Sequence, residues 1–223
     1  AGADASALSA PSAAVEADLA CAGEAALGHF VRVSGQRLAH FLRNAVQRRG
    51  WAEASKAPTE PSLVVEMIFK EAQGFDAQLA KLLGDPRKTR GGGNRRNFSL
   101  SKSTMELEIE RQWAKKLQVY APVPFHRSGA LSGIFMVAFK ALFEYAREET
   151  FTTFGLQQLQ LDAELLGELA RDFVEAEDAG ALGSLLAEAV SSGAARCREA
   201  PTLLQASDVE ALCAPKRGSF RAA

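Results

Sequence analysis

Histidine, cysteine and tryptophan are scarce in this chain: three His, three Cys and two Trp among 223 residues. Histidine is the side chain best suited to proton transfer near neutral pH. Here it occurs only as His29, His40 and His126, and no HExxH spacing exists. His29 and His40 are eleven residues apart on one predicted helix, too far to share a metal. Cys21, Cys197 and Cys213 are odd in number and widely spaced, with no CxxC pair. That pattern argues against a disulfide framework or a zinc site and for a reduced, cytosolic setting. Nucleotide and hydrolase signatures (P-loop, GxGxxG, GxSxG) are missing as well. The run Gly91-Gly92-Gly93-Asn94 has no strand before it and no Lys-Ser/Thr after it. Carboxylate pairs such as Glu106 with Glu110, or Glu148 with Glu149, read as solvated helix faces. The expectation is a protein that is not an enzyme, with no catalytic, cofactor-binding or metal-ligating residue.

Charge of one sign is also lacking. The formal net charge is -1, so any attraction to nucleic acid or anionic lipid must come from a local patch. No apolar run approaches the ~20 residues that span a bilayer. The chain starts at Ala1 and lacks the charged-then-apolar order of a signal peptide. It reads as an internal or C-terminal fragment of a longer protein.

What is present is helical periodicity. Residues 1–23 are rich in Ala and Ser and read as a linker, with some helix from Val15 to Ala22. From Glu24 to Arg49 the apolar residues Leu27, Phe30, Val31, Leu38, Phe41, Leu42 and Ala45 recur at three- and four-residue steps. Gly35 weakens the middle of that helix by about 1 kcal/mol relative to Ala, and Gly50 ends it. A second helix is expected over 62–83, so 24–83 forms a first helical segment. Residues 84–103 carry Arg87, Lys88, Arg90, Arg95, Arg96 and Lys102 with few apolar anchors, and read as a disordered basic loop.

The capping box Ser103-Thr104-Met105-Glu106 opens a helix running to about Gln118. Pro122 and Pro124 then impose an extended stretch. Residues 130–148 carry the widest apolar stripe: Leu131, Ile134, Phe135, Ala138, Phe139, Leu142, Phe143 and Ala146. That width predicts a central bundle helix. Further helices are expected over 156–174 and 178–196, and a short one opens at the box Ser207-Asp208-Val209-Glu210. Together 104–214 reads as a C-terminal bundle, with 215–223 a frayed tail. Alternating two-residue patterns are rare, so the fold class is all-α.

Two segments stand out functionally. The basic stretch Arg87, Lys88, Arg90, Arg95, Arg96, Lys102 suits a solvated loop, contact with a membrane surface, or RNA. Ser99 follows two arginines in a basophilic-kinase context, and phosphorylation would reduce the local positive charge. The second segment is Phe151, Phe154, Gly155, Leu156, Gln157 and Gln158. It reads either as a helix–helix corner pinned by aromatics, with glutamines bonded to neighbouring backbone, or as a partner-facing corner with Phe anchors.

This corner also carries a resemblance. Tyr120-Ala121-Pro122-Val123-Pro124-Phe125, Ser132-Gly133-Ile134, Phe139-Lys140-Ala141-Leu142, Thr150-Phe151, Phe154-Gly155-Leu156-Gln157-Gln158 and Ala195-Arg196-Cys197 resemble the vacuolar protein sorting-associated protein fifty-one family. Members are subunits of the GARP and EARP membrane-tethering complexes. Met105-Glu106-Leu107-Glu108 and Tyr145-Ala146-Arg147-Glu148-Glu149 look like its plant and algal form. The resemblance covers roughly 62–213. It implies stacked helical bundles of the multisubunit-tether type, no catalytic residues and no cofactor. It implies partners among the other complex subunits and peripheral placement on the cytosolic face of the trans-Golgi network and endosomes. The implied work is endosome-to-Golgi retrograde transport and endosomal recycling. SNARE contact belongs to the extreme N-terminus of the full-length family protein, which nothing here matches. The alternative reading is a helical RNA-binding or scaffold module using 87–102.

Overall fold

The structure, a computed structural model, describes residues 9–48, 54–84 and 123–222. Six helices occur among the described residues: α1 Ser9–Arg48, α2 Leu63–Leu83, α3 Arg127–Glu148, α4 Thr153–Arg171, α5 Ala176–Ala195 and α6 Ala206–Ala222. No strand occurs there; a single parallel bridge joins Phe151 and Cys197. The all-α expectation holds. The helix expected over 103–118, the loop 84–103 beyond Gly84, and with them Arg87, Lys88, Arg90, Arg95, Arg96, Ser99 and Lys102, lie outside the described residues.

The wide stripe placed α3 correctly at the centre. Leu131, Ile134, Phe135, Ala138, Phe139, Leu142 and Ala146 are all buried, and α3 packs on both α1 and α5. By length and composition α3 is apolar enough to cross a membrane, but here its apolar residues form the core. That core is one continuous cluster drawing on all six helices, from Leu27 and Val31 to Val209 and Cys213. Close approach of α1 and α3 uses two glycines. A Cβ on Gly35 would sit 2.6 Å from Val137 Cβ and 3.0 Å from the Ile134 carbonyl. One on Gly133 would sit 2.8 Å from Val31 Cγ1. Gly35 is therefore the contact point of the helix, where the sequence alone read only a weakness.

α3 begins with His126 as its N-cap, the imidazole Nδ1 accepting from the Gly129 amide at 3.0 Å. His126 is thus spent on capping the helix. His29 and His40 are exposed on α1. Arg127 at the start of α3 pairs bidentately with Asp76 of α2.

Two boundaries differ from expectation. The helix expected from Glu24 begins at Ser9, so most of the expected linker is helical. Its many alanines favour helix, although Val15 to Ala20 are exposed. At the other end, the helix expected to fray after 214 continues through Pro215 to Ala222. An interior proline costs about 3 kcal/mol. Opposing that cost, Lys216 pairs with Glu66 and Glu60, and Arg217 with Glu168 and Glu210. Phe220 also packs, tilted, against Phe69 of α2 at 4.6 Å between ring centroids.

Candidate functional site

The corner between α3 and α4 is held by several hydrogen bonds. α3 ends at Glu148, and four residues later Thr152 caps α4. The Thr152 hydroxyl accepts from the Gly155 amide at 3.1 Å and donates to the Ala54 carbonyl at 3.1 Å. A small hydroxyl at an N-cap, with glycine in the first turn, is the ordinary chemistry of a helix start. Phe151, just before the cap, is fully buried. Its amide donates to the Arg196 carbonyl at 3.2 Å, and its carbonyl accepts from the Arg198 amide at 2.9 Å. These two bonds tie the corner to the end of α5. Arg196 returns the contact by donating to the Glu148 carbonyl at 3.2 Å.

α4 then uses two polar edges to hold two irregular segments. On one edge, Gln157 donates to the Thr202 carbonyl at 3.0 Å. Three residues on, Gln160 donates to the Leu204 carbonyl at 3.1 Å and accepts from the Leu204 amide at 2.8 Å. An amide side chain that meets both groups of one residue mimics a strand partner and satisfies backbone that would otherwise be orphaned. On the other edge, Gln158 donates to the Glu60 carbonyl at 3.1 Å and to Asp162 at 3.0 Å. Asp162, only 3% exposed, accepts from the Ser62 amide at 2.7 Å. A carboxylate so far from water needs such donors. The effect is to pin the approach to α2, residues 54–62, and the crossing from α5 to α6, residues 197–205, onto one helix.

The expected site residues are thus gathered, but mostly inward. Phe151, Gly155, Leu156 and Gln157 are buried; Phe154 and Gln158 are half-buried. A partner approaching this corner would meet Phe154 and Gln158, while the expected anchor Phe151 is consumed by the fold. The glutamines do bond to backbone, though of segments 44 to 98 residues away, where neighbouring backbone was expected. Sequence reading missed the roles of Gln160 and Asp162. The available signal was an acid flanked by Leu161 and Ala163 inside an apolar helix.

Beside the clasp, α6 seals α4 and α2. The Cys213 thiol is fully buried and lies 3.8 Å from the Leu161 carbonyl. Burial pushes its pKa up to about 11, and Glu168 adds to the rise. The Lys216 ammonium is held above the ordinary lysine value, chiefly by its bond to Glu66. Between α4 and α5 lies an open groove of about 590 Å³, floored by Ala163, Gly167 and Gly183 and edged by Leu186, Val190 and Leu203. Among the described residues no group of three or more His, Cys, Asp or Glu side chains is placed to hold a metal.

The human Vacuolar protein sorting-associated protein 51 homolog is 28% identical over 208 residues, covering 84% of this chain and 26% of that protein. The Gallus gallus homolog is 28% identical over 224 residues, with coverages of 91% and 28%. The Arabidopsis thaliana homolog is 25% identical over 199 residues, with coverages of 79% and 25%. The chain spans about a quarter of the length of the curated relatives it matches. No protein-family model and no solved structure matches it. The resemblance read from the corner motif is borne out by relatives from vertebrates and a plant that carry the same name.

Proposed function

We propose that this chain is part of a non-catalytic subunit of a membrane-tethering complex of the GARP and EARP kind. In this reading it works peripherally on the cytosolic face of the trans-Golgi network and endosomes, in endosome-to-Golgi retrograde transport and endosomal recycling. Its partners are the other subunits of that complex. The observation that carries the reading is the extent of the similarity: relatives of one name match over 84% of the chain, a span that takes in helices from both sides of the corner.

The physical form suits such a task. A bundle whose polar side chains are spent on its own backbone, as at Gln157, Gln160 and Asp162, is a rigid body that presents surface rather than chemistry. Exposed apolar residues on its outer helices, such as Leu63, Met67 and Leu82 of α2, are available for neighbouring subunits.

The test is affinity purification of the full-length protein from its own cells, with its companions identified by mass spectrometry. Sister tethering subunits should co-purify at near-equal amounts. Recovery of the protein alone, or with companions unrelated to tethering, would overturn the assignment.

A further inference from the structure

Helix α6 ends in a stretch that its own sequence supports poorly. Pro215 lacks the N–H that would bond the Ala211 carbonyl one turn back. Gly218 adds backbone freedom at a place where an added Cβ would meet nothing within 4 Å. The turns beyond Pro215 stay on the bundle through a few long-range contacts. Lys216 pairs with Glu66 of α2 and with Glu60 before it. Arg217 Nε donates to Glu168 of α4 at 2.7 Å, and Phe220 lies against Phe69. A helix end held this way opens at lower cost than the bundle unfolds.

Ser219 sits within this end. It is exposed, its hydroxyl donates to the Lys216 carbonyl at 2.7 Å, and it lines one hollow with Lys216, Glu60 and Glu66. The sequence reaching it is Lys216-Arg217-Gly218-Ser219, which sets two cations at the third and second positions before a serine. Serine kinases with acidic substrate grooves read that charge pattern.

We propose that Ser219 is a phosphorylation site for such a kinase, and that the phosphate keeps the end of α6 off the bundle. In the transfer, Ser219 Oγ bonds to the γ-phosphorus of a nucleoside triphosphate held by the kinase. The bridging bond to the β-phosphate breaks, nucleoside diphosphate leaves, and the hydroxyl proton passes to the kinase. Lys216 and Arg217 cannot serve acids of the bundle and acids of the kinase at once, so the released end is the substrate. Once formed, the phosphate carries about −1.5 to −2 charge. Docked again, it would share the hollow with Glu60 and Glu66, where among the described lining residues Lys216 is the only cation. It would also stand in the last turn of a helix, where the macrodipole disfavours an anion. Both effects oppose redocking. Lifting the end takes Phe220 from Phe69, whose ring also meets Phe173 at 6.0 Å. An apolar patch between α2 and the end of α4 thereby loses its cover from α6.

The test uses the whole chain carrying Ser99→Ala, which removes the serine that follows Arg95 and Arg96. The protein is incubated with magnesium ATP and a purified kinase that requires basic residues two and three positions before its serine. Mass spectrometry should place phosphate on Ser219, and a Ser219→Ala chain should carry none at that position. Amide exchange over 216–222 should then rise about tenfold or more, with exchange in α3 unchanged. Glu66→Lys should give the opposite sign. Unmodified, its lysine repels Lys216 and the end exchanges fast; phosphorylated, the serine phosphate faces two ammonium groups and exchange slows. Absence of phosphate on Ser219 overturns the proposal. So does a phosphorylated Ser219 with exchange unchanged, or exchange that quickens after phosphorylation in both backgrounds, which would mark a steric effect instead of a charge effect.

Discussion

Phe151 has no solvent exposure and touches the core between α3 and α5. Phe151→Ala should therefore cost about 3–5 kcal/mol of stability, measured by chemical denaturation, with Phe154→Ala costing clearly less because that ring is half-exposed. Gln160 makes two bonds to Leu204. Gln160→Ala should cost roughly 1–3 kcal/mol and speed amide exchange over 198–205. Cys213 gives a pH signature. Its thiol pKa rises from an ordinary 9.0 to about 11 on folding, so the folded state holds the proton more tightly. The stability it contributes is complete below pH 9 and is lost as pH rises toward 11. Lys216, also raised, acts in the same direction above the lysine range. Cys213→Ala should flatten the decline of the denaturation midpoint between pH 9 and 11; an unchanged slope would assign it to other groups. At this scale the corner was legible as a corner, because Phe, Gly and Thr there announce a helix start. Its bonding partners were not, because Glu60, Ser62, Thr202 and Leu204 carry no local pattern linking them to α4.

Helix α1 shows how packing reverses a propensity argument. Exchanging glycine for alanine in a helix interior ordinarily gains about 1 kcal/mol. At Gly35 the added methyl would fall inside the contact distance of Val137 and the Ile134 carbonyl. Gly35→Ala should accordingly destabilise by about 1–3 kcal/mol. Gly28→Ala, on the same helix with nothing within 4 Å, should stabilise by up to about 1 kcal/mol. Thermal melts of the two variants check the opposite signs. Helices α3, α4 and α5 were readable to within about three residues because a buried stripe repeats over five turns. Helix α6 was readable only at its start. Its last three turns are held by Lys216 and Arg217 reaching acids on α2 and α4 and the 54–62 segment, and no sequence periodicity records a partner 49 or 150 residues away.

For the molecule as a whole, the clasp on α4 sets a timetable. Thr152, Gln158 and Asp162 bond to residues 54–62 across 98 to 100 positions of chain. During synthesis the approach to α2 therefore emerges long before the helix that fastens it. At ordinary elongation rates of about 5–20 residues per second, residues 54–62 wait roughly 5–20 seconds for these bonds. The segment before α2 is thus among the last parts of this fold to be fixed in place, and truncation before residue 152 leaves it without any of the three fastenings.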